Sequence, residues 1–317
     1  MIKNRKAFIV GIKSYKLNNN EKFFLKTHKP WGVILFLRNI KSIKQTKKLT
    51  DSIRDIFKDK KYPILIDEEG GSVCRLTNFV DNKVYSQKFF GDLFENNKKL
   101  ASSLYISYIF SLCKVFRLLG ININTVPVLD IFKINAHKII GHRSYSKNKS
   151  TIKKLGKICI KNYQKNKIST VIKHIPGHGR SKSDSHFKLP KINVSEKKLN
   201  QIDFDCFKNS YSHFAMTAHI IYANIDKKNA ATQSKKIINN IIRKKLRFKG
   251  ILISDDISMK SLKDDIITNA IKAINAGCNL TLYCAGKYNE SLKLLKHIPL
   301  IDKFTIKKTS EFYKFLS

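Results

Sequence analysis

Short apolar runs recur along this chain, separated by longer stretches in which apolar residues return every three or four positions. Eight runs stand out: AFIVGI (7–12), GVILFL (32–37), YPILID (62–67), ININTVPVLD (121–130), STVIKHI (169–175), FAMTAHIIY (214–222), GILISDD (250–256) and LTLYCAG (280–286). They are nearly continuous in β-branched and aliphatic residues, as in parallel strands buried on both faces. The stretches between them, such as IKSIKQTKKLTDSIRDIF (40–57) and SKKIINNIIRKKL (234–246), carry helical spacing. Eight strands alternating with helices predict an α/β fold, a (β/α)8 barrel of the TIM type. No linker or composition shift divides the sequence, so residues 1–317 are expected to form a single domain.

In such a barrel the chemistry sits at the C-terminal ends of the strands and in the loops that follow. The unusual polar residues fall there. The third run ends in Asp67-Glu68-Glu69-Gly70-Gly71. The fourth ends at Asp130, and its long loop carries GHRSY (141–145). The fifth ends in Lys173-His174 and opens KHIPGHGRSKSDSHFKLP (173–190). His219 lies near the end of the sixth, and Ser254-Asp255-Asp256 ends the seventh. Structural polar residues scattered at random would not gather on one rim.

Within the 173–190 loop, Gly177 and Gly179 flank His178 and permit tight or positive-φ backbone. Asp184 and His186 are two apart and would face the same way in an extended segment. A carboxylate beside an imidazole fixes its tautomer and favours its charged form, which makes a proton donor near neutral pH. The bland alternative is a surface loop with a casual Asp–His pair. Three imidazoles, His174, His178 and His186, raise the question of a metal. The spacing H-x3-H-x7-H matches no metal signature, and H-E-x-x-H is absent, so no metal is expected. Asp255 follows a firmly held strand, where a carboxylate can bind a metal, exchange protons or attack as a nucleophile. For Asp256 the expected role is to cap the following turn. Asp67, Arg75, Arg143, Lys173 and His174 are suited to sugar hydroxyls. Each alone has an equally good reading as a satisfied polar group, and only their co-location favours a site.

Charge is the most unusual number. There are 62 Lys and Arg against 23 Asp and Glu, a formal net charge of +39. That raises a polyanion partner. Two details favour compositional drift: only nine of the basic residues are Arg, the better phosphate and base reader, and the lysines run from end to end. No specific nucleic-acid partner is therefore expected. No run reaches the roughly 18 to 20 apolar residues of a bilayer span, and LASSLYISYIFSLC (100–113) reads as a buried or amphipathic helix. The apolar core near the N-terminus is short for a secretory signal, and no small-residue cleavage site follows. Six scattered cysteines form no C-x-x-C pair and read as reduced, mostly buried thiols of a cytoplasmic protein.

Read together, IDEEGGSVCRL (66–76), PVLDI (127–131), IIGHRSYS (139–146), KHIPGHGRSKSDSHFKLP (173–190), MTAHIIY (216–222), KGILISDDISM (249–259) and AGCNL (276–280) resemble one family. It is that of the bacterial β-N-acetylhexosaminidases of glycoside hydrolase family 3, the NagZ type. The resemblance covers nearly the whole chain. It implies a barrel that removes terminal N-acetylglucosamine from peptidoglycan-derived muropeptides during cell-wall recycling, without metal or organic cofactor; a monomer is expected. It puts the nucleophile on Asp255, the acid/base on His186 and the partner carboxylate on Asp184. Sugar contacts fall on Asp67, Arg75, Arg143, Lys173 and His174. The chain departs from the usual motifs at Glu68, Ser72, His142, Ile175 and Ala223. Those departures bear on substrate choice more than on reaction type. Alternatives are another β-glycoside preference, transfer to phosphate instead of water, and a polyanion-binding barrel that has lost catalysis.

Overall fold

The computed structural model describes residues 2–134, 140–181, 183–185 and 187–317. Its central strands are β1 (Lys6–Gly11), β2 (Pro30–Leu35), β3 (Ile64–Ile66), β4 (Ile123–Asn124), β5 (Ser169–Ile175), β6 (Phe214–Thr217), β7 (Ile251–Asp256) and β8 (Leu280–Tyr283). All neighbours run parallel, and the sheet closes in the order β1-β8-β7-β6-β5-β4-β3-β2. Around it lie α1 (Asn19–His28), α2 (Ile43–Phe57), α3 (Gln87–Asn96), α4 (Lys98–Leu119), α5 (Lys149–Lys165), α6 (Glu196–Gln201), α7 (Ile266–Ala276), α8 (Tyr288–His297) and α9 (Lys303–Leu316). A π-helical segment, Ile237–Lys245, fills the place of the helix read over 234–246.

Each of the eight apolar runs overlaps one barrel strand, and the expected (β/α)8 barrel is what forms. Strand interiors are buried along their length, β5 at all seven positions. Helix starts follow local chemistry more than apolar spacing. The pattern at 40–57 begins at Ile40, but α2 starts at Ile43 because the Ser42 hydroxyl accepts the N–H of Gln45.

Two runs are shorter as strands than the sequence suggests. In 121–130 only Ile123–Asn124 forms a regular ladder. Pro127 has no N–H to give, and the chain continues beside β5 through Lys173 N–H to Pro127 C=O (3.1 Å) and Leu129 N–H to Lys173 C=O (2.8 Å). In 214–222 the barrel strand stops at Thr217, and Ile221–Tyr222 pairs instead with Lys191–Ile192 in a separate two-stranded sheet. Residues on both sides of that break are buried, so apolar patterning does not register it.

The end of the barrel opposite the rim is closed by α9. Trp31 donates its indole N–H to Thr309 Oγ1 (2.9 Å) and meets Phe214 edge-on, and Phe214 meets Phe312. The plug leaves only the C-terminal rim open for chemistry. Helix α4 contains LASSLYISYIFSLC. Its buried positions, Ala101, Tyr105, Ile109, Leu112, Cys113, Phe116 and Leu119, form one helical face against the barrel, as an amphipathic reading requires. Among the described residues it is also the one helix long and apolar enough by composition to cross a membrane, with 33% of its most apolar window buried. All six cysteines are free, five of them buried.

Candidate active site

The rim is organised around Lys173, near the end of β5. Its side chain is 2% exposed. The ammonium donates to Asp67 Oδ1 and to Thr125 Oγ1 (2.9 Å), and lies 2.6 Å from Glu69 Oε1. Glu69 in turn accepts a two-pronged bond from Arg143, Nε to Oε2 at 2.8 Å and Nη2 to Oε1 at 2.9 Å. Arg75 Nη2 donates to Asp67 Oδ2 at 3.1 Å. The loops after β3 and β4, with β5 itself, thus supply alternating charges to one buried network. A buried ammonium is tolerated only with such partners. Burial would raise the carboxyls of Asp67 and Glu69. Lys173 and Arg75 at the first, and Arg143 and Lys173 at the second, overcome this and hold both below the usual range.

His174 continues the chain into the site. Its Nδ1 lies 2.7 Å from Asp130 Oδ2, which also accepts its backbone N–H at 3.1 Å. Its Nε2 faces Arg143 Nη2 at 3.4 Å. Arginine only donates, so that contact makes Nε2 an acceptor and leaves the proton on Nδ1, directed at Asp130. Asp130 Oδ1 accepts the N–H of His178. One buried carboxylate therefore ties the segment after β4 to both histidines of β5 and its loop. Gln87 braces the same corner, exchanging bonds with the backbone of Val128 and donating to the carbonyl of Arg143.

Opposite this cluster stands Asp255, near the end of β7. Its Oδ1 accepts the N–H of Asp256 (2.8 Å), which fixes the carboxylate. Burial would raise its carboxyl, but His219, His174, that N–H and Lys173 hold it below its ordinary range. Asp256 does what a turn cap does: it accepts the N–H and hydroxyl of Ser258. Burial raises its carboxyl. His219 is fully buried, with Nε2 3.1 Å from Asp256 C=O and Nδ1 2.7 Å from Thr232 Oγ1. A carbonyl only accepts, so Nε2 carries a proton there.

Asp67, Arg143, Lys173, His174, His178, Ser185 and Asp255 line one cavity of about 80 Å³, floored by Ile34, Met216 and Leu282. Two larger grooves lie on the outer wall of the barrel, away from this chemistry. Arg75 joins the site through Asp67.

The loop after β5 bears out part of the sequence reading and changes part of it. Gly177 has φ +146°, as anticipated for a flexible position. Gly179 is needed for a different reason: an added Cβ would lie 1.9 Å from the carbonyl oxygen of Ile131. Asp184 is not in an extended segment. Its carbonyl accepts the N–H groups of Phe187 and Lys188, so Asp184 opens a turn. His186 lies outside the described residues. Ser185, one position earlier, bonds His178 Nε2 at 2.8 Å and lines the cavity with Asp255. Among the described residues, no group of three His, Cys, Asp or Glu is arranged to hold a metal ion.

Glu69, Asp130, Gln87 and His178 hold the site together; of these the sequence suggested a role only for His178, and that as a metal ligand. Glu69 and Asp130 carried a visible signal, as acids at strand ends beside assigned residues. Gln87 carried none, since it reaches the site from the start of α3.

A closed barrel with carboxylates, cations and imidazoles converging at its strand ends is the layout of a barrel enzyme, and comparison with known proteins makes the class specific. Residues 4–309 match the family model for the glycosyl hydrolase family 3 N terminal domain, and the chain belongs to that family. It is a glycoside hydrolase of the β-N-acetylhexosaminidase type. A β-hexosaminidase of Methylobacillus flagellatus is 32% identical over 84% of this chain and 77% of its own length. One from Psychromonas ingrahamii is 29% identical over 96% of this chain and 88% of its own. Among solved structures, NagZ from Neisseria gonorrhoeae in complex with N-trifluoroacetyl-D-glucosamine superposes with a TM-score of 0.88 at 26% identity, covering 99% of this chain and 90% of that one.

Proposed function

We propose that the chain is a retaining exo-β-N-acetylglucosaminidase that removes terminal N-acetylglucosamine from peptidoglycan-derived muropeptides. In this reading Asp255 attacks the anomeric carbon. The C1–O bond breaks, and its electron pair stays on the leaving oxygen, which takes a proton from His186. Water then attacks C1, gives a proton to His186 and expels the Asp255 carboxylate. Asp184 steers and charges the imidazole. Asp67, Arg75, Arg143, Lys173 and His174 bind the sugar hydroxyls. The sequence acts as one catalytic domain, and neither step calls for a metal or organic cofactor.

The observation that carries this reading is the Asp255 carboxylate lining the same cavity as Asp67, Lys173 and Arg143, with its carboxyl held below the ordinary range by His219, His174 and Lys173. A low carboxyl pKa suits a nucleophile, which must be charged before it attacks. The mixed donors and acceptors opposite it suit a polyol. His178 Nδ1, buried without a protein partner among the described residues, adds one more polar atom at the cavity wall. The N-acetylglucosamine preference draws on the sugar analogue bound by the Neisseria gonorrhoeae relative.

The test is turnover of a chromogenic β-N-acetylglucosaminide by the purified chain. The wild type is expected to release the chromophore, and Asp255→Asn to lose activity by a factor of roughly 10³ or more, the scale on which removing a nucleophile acts. Wild-type rates in that variant would refute the nucleophile assignment.

A further inference from the structure

The outer wall of the barrel carries a second feature that catalysis does not use. Helices α4 and α5 pack side by side, and neither contains an Asp or Glu. On α5, lysines recur every four residues, at 149, 153, 157, 161 and 165, which sets them in one stripe along the helix. Lys149 and Lys153 are paired with Asp205, at 3.5 and 3.0 Å. Lys154, Lys157, Lys161 and Lys165, with Lys98 and Lys99 of α4, border an open groove of about 670 Å³ whose apolar lining includes Phe94, Ile106 and Ile158. Among the described residues none of these six lysines makes an ion pair; the neighbouring pairs engage Lys88, Lys149 and Lys153 instead. Beside them α4 turns large apolar side chains outward: Leu100 is 53% exposed, Phe110 45%, Ile106 41% and Leu104 37%.

Lysine is abundant everywhere in this chain, so a basic surface alone means little. Here lysines without ion pairs among the described residues meet exposed apolar side chains of α4 in two i,i+4 pairs, Ile106 and Phe110 on the groove side and Leu100 and Leu104 on the other edge of its outward face. Exposed apolar side chains in water are a cost that a binding surface recovers. A second copy of the chain is a poor occupant, because it would bring six more unpaired ammonium groups against these. Duplex nucleic acid would satisfy the lysines but offer nothing to Leu100, Leu104 and Phe110. An anionic bilayer satisfies both sets at once. Lysine heads reach the phosphates, while the apolar side chains enter the headgroup–acyl boundary. Lysine suits this use, since its point charge needs no fixed geometry.

We propose that the α4–α5 face docks the enzyme peripherally on an anionic lipid surface. The contact lies on the barrel wall, so the catalytic rim stays open while docked.

The experiment is co-sedimentation of the full chain with phosphatidylcholine vesicles, with and without phosphatidylglycerol. Binding is expected only with the anionic lipid, and to weaken with salt. Each lysine near such a surface strengthens binding about fivefold, so the fourfold variant Lys154→Glu, Lys157→Glu, Lys161→Glu and Lys165→Glu is expected to lose at least about 100-fold. A control set, Lys22→Glu, Lys26→Glu, Lys44→Glu and Lys48→Glu, is expected to lose much less. Leu104→Ser with Phe110→Ser is expected to weaken vesicle binding severalfold and leave duplex DNA binding unchanged. Unaltered hydrolysis of the chromogenic substrate certifies the fold of each variant. Absence of vesicle binding, equal losses from the two lysine sets, or no effect of the serine pair on vesicles would overturn the proposal. Equal weakening of DNA and vesicle binding by the α5 lysines with no contribution from Leu104 and Phe110 would mark a polyanion face instead.

Discussion

Lys173 is the residue on which the site's electrostatics turn. It is almost fully buried, and its charge is tolerable only because Asp67 and Glu69 meet it while Arg143 and Arg75 balance them. Removing one member of such a buried network leaves the others uncompensated, which costs more than the network contributes when intact. Glu69→Ala is therefore expected to destabilise the fold by roughly 3–5 kcal/mol, read as a lower urea midpoint, and to abolish activity as Arg143 loses its two-pronged anchor. Glu69→Gln keeps the shape but not the charge and is expected to fall between. A wild-type midpoint for Glu69→Ala would show that the network does not depend on this carboxylate. At this scale the sequence was legible where residues announce themselves at strand ends: Asp67, Arg75, Arg143, Lys173, His174 and Asp255 all reach one site. It was silent on which acid meets which cation. Asp67, Glu68 and Glu69 look alike in sequence, yet they diverge. Glu68 turns away to accept the N–H groups of Arg75 and Leu76 and the amide of Asn82, and burial raises its carboxyl. The pairing is set by distances between strands that are 104 residues apart in sequence for Glu69 and Lys173, and a linear pattern does not encode them.

Among the elements, the segment after β5 carries the most function per residue. Asp130 anchors it through His174 and His178, Ser185 returns to His178, and Gly179 lies against Ile131. The glycine there serves close packing between two loops. Gly179→Ala must push the loop after β4 away, because its Cβ would fall 1.9 Å from the Ile131 carbonyl oxygen. The expected outcome is a loss of turnover well beyond the loss of stability, since the displaced loop leads to Arg143. The same variant with normal turnover and normal melting would show that the contact relaxes without consequence. Element existence was readable because eight buried strands leave eight uninterrupted apolar runs. Element ends were not. The run 214–222 stays buried across the break, from Phe214 to Ile220, and the break after Thr217 follows from Ile221 finding Lys191 as a partner in another sheet. The turn at Asp184 arises from two backbone N–H groups meeting one carbonyl, which no side-chain pattern reports.

For the whole molecule, the buried histidines and carboxylates set how stability responds to acid. Burial lowers His178 from its ordinary value to about 4, so it stays neutral in the fold while the unfolded chain takes up a proton below about 6.5. Unfolding then binds protons, and stability declines as pH falls from about 6.5 to about 4, by up to about 3 kcal/mol from this residue. Asp67, Glu69 and Asp130 have depressed carboxyls, so their stabilisation is present above the ordinary carboxyl range and is lost as pH falls through their folded values. Glu68, Asp203 and Asp256, raised by burial, act in the opposite sense just above that range. Comparing urea midpoints of the wild type and His178→Gln at about pH 7 and about pH 5 isolates the histidine, with the variant expected to lose less on acidification. An equal loss in both would assign the effect to the carboxylates. The net charge of +39 was plain from composition, but which lysines are left unpaired was not, because that depends on how α4 and α5 lie together. The central claim concerns one carboxylate, and one measurement addresses it most directly: mass-spectrometric mapping of the glycosyl-enzyme trapped with a slow fluorinated N-acetylglucosaminide. The account predicts a single sugar adduct on the peptide containing Asp255. An adduct on Asp67, Asp256 or any other carboxylate, or catalysis with inversion and no adduct at all, would contradict it.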